Sequence, residues 1–288
     1  MKAVLAAISF YAHFAPYFFA GPPPDYRCGS GPDFRYCVYD PPYGVIEDPQ
    51  SVVYFLHYGT GDEKSWRTVP VSRVFYAELR RRGLSAPKVI ALSYGTYWRF
   101  VGSAGGKTPS PLAADFLDHT LPWLDAKFGT PKRRYLWGMS QGGLSAATLL
   151  FHRPPMWSGA VLACAALFSI DVFAPRDRVA SFAAANRLDE GRVQWGLELV
   201  RNRVKSSADW DRENPVVRAA KSRAGLPPIY IDANADDDFG FNLGTRDFVS
   251  ALKRAGARVD FRESPGGHCE VDAWAESRFL ADLLQERR

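Results

Sequence analysis

The chain has 288 residues, 47% of them hydrophobic and 23% charged, a globular balance that argues against a disordered chain and against a bundle of membrane spans. Its formal net charge is +5, but the 36 basic residues are interspersed among 31 acidic ones, with no basic stripe of the kind that tracks a nucleic acid, so no nucleic-acid partner is expected. The length suits one large core, since single α/β domains reach about 250 residues before splitting.

Met1 and Lys2 precede an apolar, alanine-rich and aromatic run from Ala3 to Ala20 that stops at Gly21 and three prolines. Residues 1–20 read as a secretory signal, so a secreted or periplasmic protein is expected, with a cytoplasmic one as the alternative. His13 and Pro16 make this run a poor spanning helix, and no stable membrane span is expected. Residues 21–50 form an N-terminal edge segment in which Phe34, Tyr36 and Val38 alternate as in a hairpin. There Cys28 and Cys37 bracket the loop CGSGPDFRYC, which a disulfide can close in an oxidising compartment. Cys164 is expected to be a small core residue and Cys269 to pack beside His268; four cysteines at these spacings do not make a zinc site.

Residues 51–288 alternate strands and helices. Ser51 to His57 is a continuous apolar run entering the loop YGTGDEKSW, as a buried parallel strand does. Val71 to Arg82 has helical periodicity and stops at Gly83, and Lys88 to Ser93 is a second buried strand. Pro111 to Phe128 is amphipathic, stopped at Gly129 and bent at Pro122. Strand Arg134 to Gly138, helix Gln141 to Phe151 and strand Gly159 to Ala166 follow. A polar helical stretch, about residues 175–222, is expected to cap or rim a site. Strand Pro228 to Asn234, helix Gly244 to Ala255, strand Arg258 to Glu263 and helix Val271 to Leu284 close the chain. This alternation predicts an α/β fold with a mostly parallel central sheet and helices on both faces.

WGMSQGG, Trp137 to Gly143, places a serine between glycines at Gly138 and Gly142, after a strand and before a helix. That pattern presents a nucleophile on a sharp turn, where a β-carbon on either glycine would clash with backbone, so Ser140 is the candidate nucleophile. A hydroxyl needs a base, and of five histidines only His268, in SPGGHCEVDAW between the last strand and last helix, follows the order serine, acid, histidine. The imidazole in turn needs a carboxylate, and the run Asp236, Asp237, Asp238 after the strand PIYIDAN offers three that spacing does not separate. An oxyanion needs two N–H donors, which Gln141 and either Gly59 or Thr60 are placed to give. The aromatic residues Tyr94, Tyr97, Trp98, Trp195 and Trp210 suit either core packing or stacking on a substrate.

Taken together, HYGTGDEKSW, FLDHTLPWLDAKFGT, WGMSQGGLSAATLLFHRPPMWSGAV, ADWDRENPV, NADDDFGFN and SPGGH resemble the esterase D group of α/β-hydrolases, over about Ser51 to Leu284. That group includes formylglutathione hydrolases, feruloyl and acetyl-xylan esterases and mycolyltransferases. The resemblance implies the α/β-hydrolase fold and a serine esterase with no cofactor and no metal, acting on a small-molecule or glycan-linked ester. It also singles out Asp237, three residues after Asn234, where the group has glycine; this departure leaves Asp238 and Asp236 open. The group's loop often reads His-Gly after the first strand, and here Tyr58 stands in place of that glycine. An acyltransferase to a sugar or other alcohol is the alternative activity, and a binding module that has lost catalysis is the alternative class.

Overall fold

The computed structural model describes residues 21–103, 105–107, 111–222 and 225–286, so the expected signal segment lies outside the described residues. Eight strands form one sheet: β1 (Tyr26–Ser30), β2 (Arg35–Tyr39), β3 (Glu47–Leu56), β4 (Ala86–Ser93), β5 (Arg133–Met139), β6 (Gly159–Ala163), β7 (Ile229–Asn234) and β8 (Val259–Ser264). Their spatial order is β1-β2-β4-β3-β5-β6-β7-β8, with β3 to β8 mutually parallel and the β1–β2 hairpin antiparallel at one edge. Cys28 and Cys37 face each other directly across that hairpin and are joined by a disulfide.

Period-two alternation divides the core between the two faces of the sheet. On β3, Val52, Tyr54 and Leu56 enter one core while Val53 and Phe55 enter the other. The second core is closed by α2 (Pro70–Arg82), which follows the short α1 (Ser65–Thr68), and by α10 (Ala273–Glu286). The first is covered by α4 (Gln141–Leu150) and α9 (Phe241–Arg254). Both cores are mainly apolar, as parallel strands buried on both sides require, with Asp232 and Glu276 as buried carboxylates among them.

Local chemistry sets several boundaries. Gly83 ends α2 in the left-handed conformation (φ 65°), its N–H bonding back to the carbonyls of Arg80 and Leu79. From Ala113 to Phe128 the chain is helical without a break, as expected, but it contains a π turn over Phe116–Thr120 that leads into α3 (Leu121–Phe128), with Pro122 in its first turn. A wide turn at this point relieves the hydrogen bond that a proline cannot make. The stretch read as polar and helical is four short helices: α5 (Arg176–Asn186), α6 (Glu190–Arg201), α7 (Ser207–Glu213) and α8 (Pro215–Lys221). Asp189, Ser206 and Asn214 cap the last three with side-chain oxygens, a signal present in the sequence. The strand expected to reach Ala166 ends at Ala163, because Cys164 turns into the left-handed region (φ 41°). Among the described residues no helix is long and apolar enough to cross a membrane.

Candidate active site

In a parallel sheet the loops that follow the strands converge on one edge, and ligand crevices form there. Here that edge gathers Tyr58 to Gly61 after β3, Tyr97 to Arg99 after β4, Ser140 after β5, Cys164 to Phe168 after β6, Asp236 to Phe241 after β7 and His268 with Cys269 after β8. A cavity of about 330 Å³ opens among them. Ser140 and His268 lie on its wall together with Gln141, Gly59 and Thr60. The rest of the wall is largely apolar and aromatic, with Phe168, Trp195, Leu199, Phe239 and Phe241.

Ser140 has φ 51° and ψ −115°, a conformation that L-residues rarely adopt and that is imposed by its setting. Its N–H donates to the Ala163 carbonyl at 2.9 Å, and its own carbonyl accepts from Ala166 N–H at 3.0 Å, which ties the turn to the end of β6. The flanking glycines are sterically required: a Cβ on Gly142 would lie 2.0 Å from the Leu56 carbonyl oxygen, and one on Gly138 would lie 2.2 Å from the Gly142 carbonyl oxygen. Backbone cannot yield at either point.

The hydroxyl of Ser140 lies 2.9 Å from His268 Nε2, and His268 Nδ1 lies 2.7 Å from Asp237 Oδ2. Asp237 is only 3% exposed, and its second oxygen, Oδ1, accepts from Phe239 N–H at 3.0 Å. A carboxylate in that place fixes the proton on Nδ1 and leaves Nε2 free to accept from the serine. The three consecutive aspartates are thereby separated. Asp236 accepts from the Gly266 N–H at 3.1 Å and Asp238 pairs with Arg192 at 2.5 Å, so neither faces the imidazole. Phe239 and Phe241 pack edge-on against the His268 ring; both lie within the NADDDFGFN segment, but no site role was read for them from the sequence.

Gly59 and Thr60 are the central residues of a turn closed by Gly61 N–H donating to the Tyr58 carbonyl at 2.9 Å. The glycines of this turn are not at positive φ; they are small because of neighbours, since a Cβ on Gly59 would meet the Tyr97 ring at 3.1 Å and one on Gly61 would meet Ser65 Oγ at 2.6 Å. Among the described residues the N–H groups of Gly59, Thr60 and Gln141 have no protein acceptor. The turn is held from below by His57, whose Nδ1–H donates to the Tyr58 carbonyl at 2.7 Å. Its Nε2 accepts from Trp98 Nε1–H at 2.7 Å and from Ser93 at 2.9 Å. Burial lowers the pKa of His57, so this ring is a neutral strut. The other histidines stand elsewhere: His119 borders a separate crevice, His152 pairs with Glu213 at 3.0 Å, and His13 lies outside the described residues.

Of the aromatic residues singled out, Trp195 and Tyr97 reach the cavity and meet edge-on, whereas Trp210 and Trp98 are buried supports and Tyr94 is bonded to Thr120. Arg99 also reaches the wall, and its guanidinium donates to Gln141 Oε1 at 3.3 Å, orienting that carboxamide. Burial, followed by the nearby Arg203 cation, brings the Arg99 pKa down to about 9, so it stays charged at neutral pH.

Cys164 and Cys269 do not serve as separate packing residues: a second disulfide joins them, across a sequence separation of 105. Pairing follows from proximity at the sheet edge, which spacing does not reveal; the even cysteine count was the available signal. Among the described residues the grouping of His268 with these two sulfurs is the one cluster close enough to hold a metal ion, but the sulfurs are bonded to each other and Nε2 to Ser140. It offers no thiolate. Behind it, Asp232 accepts from Cys164 N–H at 2.7 Å and lies against Glu276, which accepts from Trp137 Nε1–H at 3.0 Å. Burial, reinforced by the facing carboxylate, raises the pKa of Glu276, and burial raises that of Asp232, so the pair retains a proton well above the usual carboxylate range.

The fold, an eight-stranded mostly parallel sheet covered by helices, is that of an α/β-hydrolase. The family model described as "Putative esterase" matches residues 34–288, and the chain belongs to that family of ester hydrolases. Among solved structures it is similar to a ferulic acid esterase, with TM-score 0.62 and 15% identity over 92% of this chain and 98% of the other. It is similar as well to an S-formylglutathione hydrolase from Agrobacterium tumefaciens, with TM-score 0.58 and 17% identity over 91% of this chain and 92% of the other. A third similar structure is Mycobacterium tuberculosis MPT51 (FbpC1), with TM-score 0.59 and 18% identity over 93% of this chain and 100% of the other. No curated protein matches by sequence.

Proposed function

We propose that this esterase cleaves carboxylic esters through an acyl-serine intermediate, with Ser140 as nucleophile, His268 as general base and acid, and Asp237 as the carboxylate that orients and stabilises the imidazolium. The observation that carries the reading is the continuous relay from Ser140 through His268 to Asp237, 2.9 and 2.7 Å long, opening on a largely apolar cavity. In this mechanism Ser140 Oγ attacks the ester carbonyl as its proton passes to His268 Nε2. The N–H of Gln141 and that of Gly59 or Thr60 hold the oxyanion. Collapse expels the alcohol, which takes the proton from Nε2, and water then repeats the sequence to release the acid.

The apolar walls at Phe168, Leu199 and Phe241 favour a hydrophobic acyl or aryl group of modest size, since about 330 Å³ lies at the small end of ligand pockets. Two disulfides fit an oxidising compartment, which supports export as the location. The test is hydrolysis of p-nitrophenyl esters from acetate to palmitate by the protein and by Ser140→Ala, with and without a sugar acceptor. Turnover that is lost in the variant, greatest for short acyl chains and unaffected by the sugar, supports the reading. Transfer of the acyl group to the sugar in preference to water would replace it with acyltransfer, and equal turnover by both proteins would refute it.

A further inference from the structure

The loop that carries His268 runs from the end of β8 to α10 and contains Gly266 (φ 119°) and Gly267, the least conformationally restrained residue type. Its noncovalent ties lead to the β7 side. Asp236 bonds Gly266 through both its backbone N–H and its carboxylate, at 3.1 Å each, and Asn234 Nδ2 donates to the Glu270 carbonyl at 2.9 Å. Ser140 is fastened instead to the end of β6, through Ala163 and Ala166. The covalent link between these two assemblies is Cys164–Cys269: Cys164 lies between Ala163 and Ala166, and Cys269 directly follows His268. Both cysteines sit at positive φ, 41° and 68°, and Cys164 N–H is anchored on the buried Asp232. These are conformations that persist where the surroundings impose them.

We infer that the Cys164–Cys269 disulfide is a positioning bond that holds His268 Nε2 against Ser140 and makes the esterase thiol-sensitive. The inference rests on His268 being the base proposed above. A dithiol such as dithiothreitol supplies two electrons and two protons; the protein S–S bond breaks, two thiols form, and the reductant closes to its cyclic disulfide. With the link open, the glycine-bearing loop samples positions in which the 2.9 Å contact is lost. Misplacement of a reacting group by about 1 Å costs on the order of 100-fold in rate. The bond also cross-links the unfolded chain, so a fall in melting temperature alone would not distinguish positioning from plain stabilisation.

The test compares the parent, Cys164→Ser/Cys269→Ser and, as control, Cys28→Ser/Cys37→Ser, whose hairpin bridge lies at the far edge of the sheet. Each is assayed with p-nitrophenyl butyrate well below its melting temperature, before and after dithiothreitol, with near-UV circular dichroism confirming that it is folded. The expected result is a kcat about 10- to 100-fold lower in the first variant with KM changed less than threefold. The control should retain parental kcat and lose it on reduction, recovering on reoxidation, whereas the first variant should be insensitive to reductant. Should the first variant not fold, reduction of the folded control decides the matter alone. Parental kcat in the folded Cys164→Ser/Cys269→Ser protein, or in the reduced and folded control, would overturn the inference. His268→Ala is run alongside: if it keeps parental turnover, the base assignment fails, an outcome separate from failure of the disulfide.

Discussion

Asp237→Asn is a nearly isosteric change whose consequence follows from the two contacts of the carboxylate. Oδ1 accepts from Phe239 N–H at 3.0 Å and Oδ2 accepts from His268 Nδ1–H at 2.7 Å. In the variant the carboxamide oxygen is claimed by the Phe239 N–H, so the NH2 group faces the imidazole. Nδ1 must then accept, the ring proton moves to Nε2, and that nitrogen, 2.9 Å from Ser140, can no longer take the serine proton. Loss of the right tautomer and of imidazolium stabilisation costs about 10⁴-fold in kcat, or about 5.5 kcal/mol of barrier. The change in KM should be small, because Asp237 is buried behind the imidazole and does not line the cavity. Steady-state hydrolysis of p-nitrophenyl acetate by Asp236→Asn, Asp237→Asn and Asp238→Asn gives the comparison. Asp236 and Asp238 bond to Gly266 and Arg192, so their variants should stay within about tenfold of the parent. A folded Asp237→Asn protein with kcat within tenfold of the parent, or equal losses at all three positions, would refute the reasoning.

Gly142→Ala should destabilise the protein by about 3 kcal/mol in urea denaturation, because the new methyl would lie 2.0 Å from the Leu56 carbonyl oxygen, a backbone atom of a central strand. A loss under 1 kcal/mol would mean that the turn is looser than described. Asp232 and Glu276 have folded pKa values raised by burial, so the folded state binds protons more tightly than the unfolded chain. Their contribution to stability is therefore greatest at low pH and is lost as pH rises from the ordinary carboxylate range through the raised values. Glu276→Gln keeps the acceptor for Trp137 and removes the second ionisation. The parent's fall in unfolding free energy between pH 5 and 8 should accordingly be steeper than the variant's, and parallel curves would contradict the pairing.

The sheet was legible because most of its parallel strands carry a short apolar run bounded by turn residues, as in SVVYFLH and KVIALS, and because the glycines around Ser140 mark a turn that tolerates no side chain. Ser140 and His268 stood out by element context, and the structure brings them together. Asp236, Asp237 and Asp238 were beyond resolution by spacing, since which of three consecutive loop carboxylates faces inward depends on the path of the chain after β7. That path is set by Gly240 N–H bonding the Asp237 carbonyl and by Asn242 Nδ2 bonding the Ala235 carbonyl. The Cys164–Cys269 bridge and the cavity wall at Phe239, Phe241 and Arg99 were hidden for a related reason: they come from loops far apart in sequence, and each looks locally like core or surface.

The most direct test of the account is the site of covalent modification by a fluorophosphonate, which phosphonylates an activated serine with loss of fluoride. Intact mass spectrometry should show one adduct per chain, peptide mapping should put it on Ser140, and Ser140→Ala should take up none while losing ester turnover. An adduct on another residue, or undiminished labelling and turnover in Ser140→Ala, would contradict the claim that this serine is the nucleophile.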